Sequence, residues 1–325
     1  MIIFFGSSIF SLPVLKSLSK FDEVVLVTIP DRHIAHNQEL TPNPAAQFAQ
    51  DNKITVYKLD NLKDFPQSLK TEIGVCAVFG KIIPESLIAQ FKHGIVNFHP
   101  SLLPKYRGPS PAIGTIINND EYTGYSAILM DKKVDHGPLI FQKKLKLSPE
   151  LNSQQHYQKL FSLMGENAHE IIKKYLSDSK AGKEINNIKL DGDYFYPPRK
   201  QDHSKASWTP LLKRDDGYLS PNLNLLGKAL KNESINIKNT PEVFMKCFSQ
   251  NEVELPAPYV VHKLNLALSP WPGIWTIVKI NDKNVRLKIL ETAIEDNKLI
   301  IKKVQLEGKK PVEFKQLQEA YALAL

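Results

Sequence analysis

The polar side chains best placed for catalysis lie at the end of a short apolar run around residues 94–99. Gly94–Phe98 predicts a β-strand, and Asn97 and His99 lie at its end. Residues two apart on a strand point to the same side, so an amide and an imidazole can converge there on one small group. In parallel α/β sheets, ligand sites gather at the carboxyl ends of strands, which is where these two residues fall.

A carboxylate follows the next β-rich stretch, in the turn Val134–Pro138. Asp135 sits in this turn between apolar runs. Taken singly, each residue has an ordinary explanation, because a histidine after a strand is usually hydrogen-bonded within a loop and Asp-x-Gly is a common turn. The order and spacing of Asn97, His99 and Asp135 in one chain favour a joint catalytic role instead.

Several other kinds of chemistry find little support in the sequence. The first predicted strand ends at Gly6-Ser7-Ser8 without a further glycine, so we expect no dinucleotide cofactor. The two cysteines, Cys76 and Cys247, are too few and too far apart for a disulfide framework or a CxxC metal pair. They are typical of a reducing compartment, and we expect a cytoplasmic protein. The apolar N-terminus lacks a basic stretch and is too short for a signal or membrane-spanning segment.

The elements that must position the polar residues predict a mostly parallel, Rossmann-like α/β domain over residues 1–180. Short β-rich runs alternate there with amphipathic helical runs. The longest helix is expected over Asn152–Leu176, with Ser153 as its cap. Residues 181–218 turn to Lys, Asn, Asp, Gly and Pro and predict a linker. Short β-rich runs separated by turns then predict a smaller β-barrel, of the OB type, over 219–325.

Three stretches of the first domain, Asn97–Gly108 (NFHPSLLPKYRG), Tyr122–Ser126 (YTGYS) and Val134–Leu139 (VDHGPL), together resemble the folate-dependent formyltransferase family. The likeness begins at Phe5–Pro13 and resumes in the second domain at ALSPWPGIWT and LEGKKP. These outer stretches are similar to the members that formylate the methionyl group of initiator tRNA. The resemblance covers most of the chain apart from residues of about 220–258, and it implies the formyltransferase fold with a tRNA-binding second domain.

The resemblance implies that 10-formyltetrahydrofolate donates a formyl group to the free amino group of methionyl-tRNA, in translation initiation. It implies a catalytic triad of Asn97, His99 and Asp135. It also implies a tetrahydrofolate site that includes Ser101, Leu102, Leu103 and Pro104. In this chemistry Asn97 and His99 donate hydrogen bonds to the oxygen of a tetrahedral intermediate, and Asp135 orients the imidazole and helps to move the proton of the amine. One such donor lowers the barrier by on the order of 3 kcal/mol, and no metal is required.

The acceptor is less well defined than the donor. A net charge of +8 suits an anionic partner such as tRNA. The loop His33–Glu39, however, contains no Lys or Arg, although it is rich in Gly, Arg and Lys in tRNA-formylating members. Lys302-Lys303 and Lys309-Lys310 either follow an RNA backbone or form a solvated face. Two alternatives stay open: a formyltransferase acting on a sugar-nucleotide amine, and a non-catalytic RNA-binding module, which would have no need of the triad. We expect a monomer.

Three further features carry more modest expectations. His136 stands where Thr is common in the family, and we interpret it as a turn residue without a chemical role. We expect Trp271 and Trp275 to be packed at the entry to a small barrel and not to form a platform on which bases stack. Residues 220–258 resemble an insertion, to which the sequence assigns no purpose.

Overall fold

The computed structural model describes residues 1–33, 40–70, 72–184, 189–249 and 253–321. Its strands are β1 Ile2–Phe5, β2 Val24–Thr28, β3 Arg32–His33, β4 Leu40–Thr41, β5 Thr55–Lys58, β6 Ile73–Cys76, β7 Ile95–His99, β8 Tyr122–Leu129, β9 Leu139–Lys146, β10 Asp193–Arg199, β11 Ser234–Asn236, β12 Glu254–Pro256, β13 Ile274–Ile280, β14 Lys283–Glu295, β15 Lys298–Leu306 and β16 Val312–Glu313. Its α-helices are α1 Leu12–Ser19, α2 Pro44–Asp51, α3 Glu85–Ile88, α4 Pro111–Ile117, α5 Ser153–Ala181, α6 Leu225–Leu230, α7 Glu242–Cys247, α8 Ala257–Leu268 and α9 Phe314–Tyr321. Residues 34–39 of the loop that lacks basic residues lie outside the described residues.

The described residues form two compact units that are interleaved along the chain. The first unit contains Met1–Arg107, Tyr122–Lys146 and Tyr157–Ser207. The second contains Gly108–Glu121, Leu147–His156 and Trp208–Leu325, as far as the structure describes them. The limits 1–180, 181–218 and 219–325 stay a prediction about separately folding domains.

An eight-stranded sheet in the order β10-β9-β8-β7-β6-β1-β2-β5 forms the centre of the first unit. The pairs from β7 to β5 are parallel, whereas β8, β9 and β10 are joined in antiparallel fashion. The prediction of a mostly parallel, Rossmann-like α/β sheet with a second, smaller domain is confirmed. Where a β-barrel of the OB type was predicted, the second unit contains a four-stranded antiparallel sheet. Because β1, β6 and β7 are parallel neighbours, the segments that follow them meet at one edge of the sheet.

Apolar side chains cover both faces of this sheet. In β1, Ile2 and Phe4 join one core cluster, while Ile3 and Phe5 join another. This alternation is the period of two expected for a strand that is buried on both sides. The first cluster includes the buried face of α5, and the second includes Leu87 of α3. Because apolar side chains cover both faces of the sheet, a functional site is expected at the carboxyl ends of β1, β6 and β7.

The N-cap residue of helix α5 is Asn152, one residue before the predicted cap, Ser153. Asn152 accepts a hydrogen bond from the backbone N–H of Gln155 at 2.9 Å, and the Gln155 side chain accepts one from the backbone N–H of Asn152 at 3.0 Å. This reciprocal pair is a capping box. The expectation that Ser153 caps the helix was therefore wrong, and its hydroxyl instead donates to the carbonyl of Ser269 at 2.8 Å.

The second unit combines a four-stranded antiparallel sheet, in the order β13-β14-β15-β16, with helices packed on one face. The segment that resembled an insertion supplies part of its core, because Leu226, Phe244 and Leu255 are buried in the same cluster as α8. Trp275 is 8% exposed, as a packed position requires, but Trp271 is 57% exposed, so the expectation of packing was wrong for that residue.

None of the helices in the described part of the chain combines the length and the apolar character needed to cross a membrane.

Candidate active site

Strand β7 places Asn97 and His99 on one side of the sheet. Val96 and Phe98 point to the opposite side, into the core cluster that contains α5. His99 is 5% exposed and Asn97 is half-buried. Alternation along a buried strand therefore forces two polar side chains to share a face, because their apolar neighbours occupy the other face.

One carboxylate oxygen lies against both of these side chains. Oδ1 of Asp135 accepts a hydrogen bond from Nδ2 of Asn97 at 3.3 Å and lies 3.5 Å from Nδ1 of His99. The side chain of Asp135 is only 11% exposed. The hairpin loop between β8 and β9 thus folds back onto β7. The structure brings all three residues of the predicted triad together, and their chemical roles stay a prediction.

A backbone carbonyl fixes the orientation of the imidazole. Nε2 of His99 lies 3.0 Å from the carbonyl oxygen of Tyr106. A carbonyl only accepts hydrogen bonds, so Nε2 carries a hydrogen. Nδ1 is consequently the ring nitrogen that faces Asp135 and that can exchange a proton with a bound reactant.

The segment predicted to bind folate is held by buried hydrogen bonds. The hydroxyl of Ser126 donates to the carbonyl of Ser101 at 2.7 Å and accepts from the backbone N–H of Leu103 at 3.1 Å. Ser101 is 1% exposed and Leu103 is 2% exposed, whereas Leu102 and Pro104 are half-buried. Any contact of this segment with a ligand must therefore come from its backbone or from Leu102 and Pro104.

The loop that carries Asp135 also forms one wall of a cavity of about 430 Å³. Ligand pockets usually span roughly 300–1,000 Å³, so the cavity suits a small molecule. The sequence analysis did not predict it, because α3 and this loop are far apart along the chain. The cavity is lined by Glu85, Ile88, Ala89, Met130, Asp131, Lys132, Lys133 and His136.

Cys76 ends strand β6 and offers no reactive thiolate. Burial raises the pKa of its thiol to about 12, and the negative charge of Asp135 acts in the same direction. The thiol stays protonated near neutral pH and is a poor nucleophile. Among the residues that the structure describes, no three His, Cys, Asp or Glu side chains are grouped so that they could hold a metal ion.

Sequence analysis missed two buried polar residues beside the triad. Arg107 is 3% exposed, and its guanidinium donates to the side-chain oxygen of Gln201 at 2.7 Å. Arg107 stands in the family-like stretch Lys105–Gly108, which was a usable signal. Gln201 lies in the segment whose composition predicts a linker, so its burial had no sequence signal. The ring of His136 stacks on that of His203 with centroids 4.0 Å apart, and its lack of a chemical role stays a prediction.

Comparisons with known proteins agree on the family. Residues 2–172 match the model of the formyl transferase family. A methionyl-tRNA formyltransferase from Roseiflexus sp. is 32% identical over 67% of this chain, and the chain spans 65% of that relative's length. A methionyl-tRNA formyltransferase from Staphylococcus epidermidis is 31% identical over 88% of this chain and 78% of its own length.

Two solved structures share the fold over most of the chain. A methionyl-tRNA formyltransferase from Clostridium thermocellum superposes with a TM-score of 0.52 and 15% identity, over 96% of this chain and 98% of that chain. An N-formyltransferase from Helicobacter canadensis, in complex with folinic acid and dTDP-3-aminofucose, gives a TM-score of 0.55 and 18% identity, over 90% of this chain and 88% of that chain.

Proposed function

Because the chain belongs to the formyl transferase family, we propose that it transfers the formyl group of 10-formyltetrahydrofolate to the amino group of methionyl-tRNA, in translation initiation. The observation that carries the proposal is the convergence of Asn97 and His99 on Oδ1 of Asp135. The names of the two relatives favour methionyl-tRNA as the acceptor.

The chemistry requires stabilisation of one oxygen and transfer of one proton. The amine nitrogen attacks the formyl carbon, and the electron pair of the C=O bond moves to oxygen. The Asn97 amide stabilises that oxygen, and Nδ1–H of His99 does so when both ring nitrogens carry a hydrogen, since Nε2–H is engaged by Tyr106. Asp135 accepts the proton that the amine loses. The electron pair on oxygen then re-forms the C=O bond as the bond between the formyl carbon and the folate nitrogen breaks, and that nitrogen takes up the proton held by Asp135.

We place the folate beside the loop Asp131–His136. The cavity in this region has one wall from that loop and another from α3. A pterin ring is flat and rich in hydrogen-bonding atoms, and it suits a pocket whose lining combines apolar residues such as Ile88 and Met130 with polar ones such as Asp131. We propose that the side chains of Leu102 and Pro104, which are half-buried, also contact the folate. The Helicobacter canadensis structure, which binds folinic acid, shares the fold.

The outer face of the sheet in the second unit is our candidate for contact with tRNA. Leu287 and Ile289 point into the core, so the alternate residues Arg286 and Lys288 point outward. The guanidinium of Arg286 lies 4.1 Å from the Trp275 ring. A cationic face with an aromatic base suits RNA phosphates. We propose a monomer that acts in the cytoplasm, where the two buried free cysteines stay reduced.

The acceptor can be tested with the full chain and two competing amines. Purified protein with 10-formyltetrahydrofolate should formylate methionyl-tRNA with a kcat/KM at least about a hundredfold above that for a dTDP-linked amino sugar. Asp135→Asn serves as the matched control and should lower both activities by about a hundredfold or more. Efficient formylation of the amino sugar with no product on methionyl-tRNA would replace our acceptor by the sugar amine. No formyl transfer to either amine would argue against the catalytic proposal itself.

A further inference from the structure

A short segment after β10 contacts both loops that carry the proposed catalytic groups. This segment, Gln201–Ser207, is called the strap below. One loop is Ser101–Arg107, which supplies the carbonyl that orients His99. The other is Asp131–Gly137, which carries Asp135. The strap and both loops belong to the first unit.

The first contact of the strap fixes the Asp135 loop. Nε2 of Gln201 donates to the carbonyl of Asp135 at 3.0 Å and to the carbonyl of Gly137 at 2.7 Å. Asp135 has a φ of +48°, in the left-handed region that non-glycine residues rarely occupy. A backbone in this conformation persists only where its surroundings hold it. Gln201 is 5% exposed, so solvent competes little for these two hydrogen bonds.

The second contact fixes the loop that orients His99. The hydroxyl of Ser207 accepts from the backbone N–H of Tyr106 at 2.9 Å, and the carbonyl of Ser207 accepts from the backbone N–H of Arg107 at 2.8 Å. Tyr106 also has a positive φ, of +60°. Its carbonyl oxygen is the acceptor for Nε2 of His99. Ser207 therefore helps to set which nitrogen of His99 faces Asp135.

A buried arginine joins the loop that orients His99 to the strap. One terminal nitrogen of Arg107 donates to Oε1 of Gln201 at 2.7 Å and to Nδ1 of His203 at 2.8 Å. Because arginine only donates, Nδ1 of His203 is an acceptor here. The His203 ring in turn stacks on His136 of the Asp135 loop. The side chains of Gln201 and His203 both bind Arg107 of one loop, and His203 also stacks on His136 of the other loop.

We propose that the strap is a positioning element for the formyl-transfer site: Gln201 and Ser207 hold the two loop backbones so that Asp135 and His99 face one another. The inference rests on the proposed function, because it takes Asp135 and His99 as the groups that act on the reactants. Gln201 and Ser207 act through the loops and do not themselves touch a reactant. Two residues of a segment of linker-like composition, Gln201 and Ser207, are then positioning residues for the site.

The first test measures formyl transfer by the full chain carrying Gln201→Leu, which removes both donors while keeping a similar volume. We expect kcat to fall by about tenfold or more, because small misplacement of reacting groups is costly, and binding of a non-reactive folate analogue to change less than about threefold. Ser207→Ala, which removes one acceptor, should lower kcat less and guards against a folding defect in the first variant. Lys205→Ala is the matched control, since Lys205 is 75% exposed on the same strap. Wild-type kcat in both test variants would overturn the proposal.

A double-mutant cycle separates the strap from the catalytic assignment. If Gln201 acts through Asp135, adding Gln201→Leu to Asp135→Asn should lower kcat by much less than it does in the wild-type chain. A full multiplicative loss would show that Gln201 acts by another route and would overturn the inference. If Asp135→Asn alone leaves kcat unchanged, the proposed function of Asp135 fails, whatever the strap does.

A readout that needs no activity completes the test. In protein labelled with ¹⁵N at histidine, Gln201→Leu should shift the ring signals of His99 and His136, because both loops lose a common support. Lys205→Ala should leave these signals in place. Unchanged His99 and His136 signals in a folded Gln201→Leu protein would contradict a positioning role even if the acceptor substrate had been assigned wrongly.

Discussion

Among single residues, Asp135 has the most demanding position in the candidate site. Its Oδ1 is the atom that both Asn97 and His99 approach, and its backbone occupies the left-handed region. A carboxylate so placed can hold the imidazole in one orientation and accept a proton from an incoming amine. Asparagine has nearly the same shape but lacks the charge, so this substitution separates geometry from electrostatics.

We predict that Asp135→Asn lowers kcat for formyl transfer by about a hundredfold or more, since it acts on charge that develops in the transition state. Binding of a non-reactive folate analogue, measured by calorimetry, should stay within about threefold of wild type. Asp64→Asn, which removes one negative charge at an exposed position of the first unit, is the control. A kcat for Asp135→Asn within a few-fold of wild type would exclude the residue from the mechanism.

Secondary-structure elements show how far sequence patterns reach. The helical spacing of Leu160, Phe161 and Met164 predicted α5, because a helix on a sheet must bury one face. The pattern could not identify the cap, since Asn152 and Ser153 are both good capping residues and only the geometry distinguishes them. Likewise, alternation placed Asn97 and His99 on one side of β7. The burial of Gln201 could not be predicted from the linker-like composition of the strap. Its side chain is buried by hydrogen bonds to backbone carbonyls, which produce no periodic pattern of apolar residues in the sequence.

At the N-terminus of α5 we predict that Asn152→Ala lowers the free energy of unfolding by about 1 kcal/mol, because the capping box with Gln155 is lost. Urea denaturation followed by circular dichroism measures the change. Gln154→Ala is the control, because Gln154 is exposed and we find no described hydrogen bond from its side chain. Its effect should stay within about 0.5 kcal/mol. Equal stability of the two variants would show that the cap contributes nothing.

Helix α8 contains a histidine that should make stability depend on pH. His262 is 5% exposed, and its Nδ1 lies 2.9 Å from the hydroxyl of Thr292. Burial lowers the pKa of His262, and the negative charge of Glu150 opposes this only in part. The unfolded chain, with a histidine pKa of about 6.5, then binds more protons than the folded chain below that pH. The contribution of His262 is fully present above pH of about 6.5 and is lost as the pH falls toward the folded pKa.

We therefore predict that the free energy of unfolding decreases between pH of about 7 and 5, and that His262→Asn reduces this dependence. The asparagine amide can replace Nδ1 at Thr292 but does not titrate. Urea unfolding at several pH values, for both proteins, measures the two slopes. Parallel slopes would show that His262 is not the group responsible.

In the whole molecule, charge is the property that bears on the acceptor. The excess of Lys and Arg gives +8 overall, and the outward face of the sheet in the second unit presents Arg286, Lys288 and Lys303. Deleting everything after Lys200 would remove the strap as well as the second unit's sheet. Point substitutions in the full chain are therefore the cleaner way to examine tRNA binding.

We predict that Lys288→Gln with Lys303→Gln weakens tRNA binding and flattens its salt dependence. The slope of log K against log salt should lose up to about 0.9 for each phosphate contact removed. Filter binding at several salt concentrations measures this slope. Lys63→Gln with Lys92→Gln removes the same charge from exposed positions of the first unit and serves as control. Equal loss in both pairs would assign the effect to net charge and not to the outward face.

The interleaving of the two units has a consequence for synthesis on the ribosome and for gene fusion. Helix α4 leaves the exit tunnel early, but its residues Ile113, Ile116 and Ile117 belong to a core whose other members, such as Val260 and Leu306, are translated much later. During elongation the apolar face of this helix therefore stays uncovered until those later residues have been synthesised. For the same reason the second unit cannot be exchanged between proteins as a single cassette, because one crossover point would separate α4 from its partners.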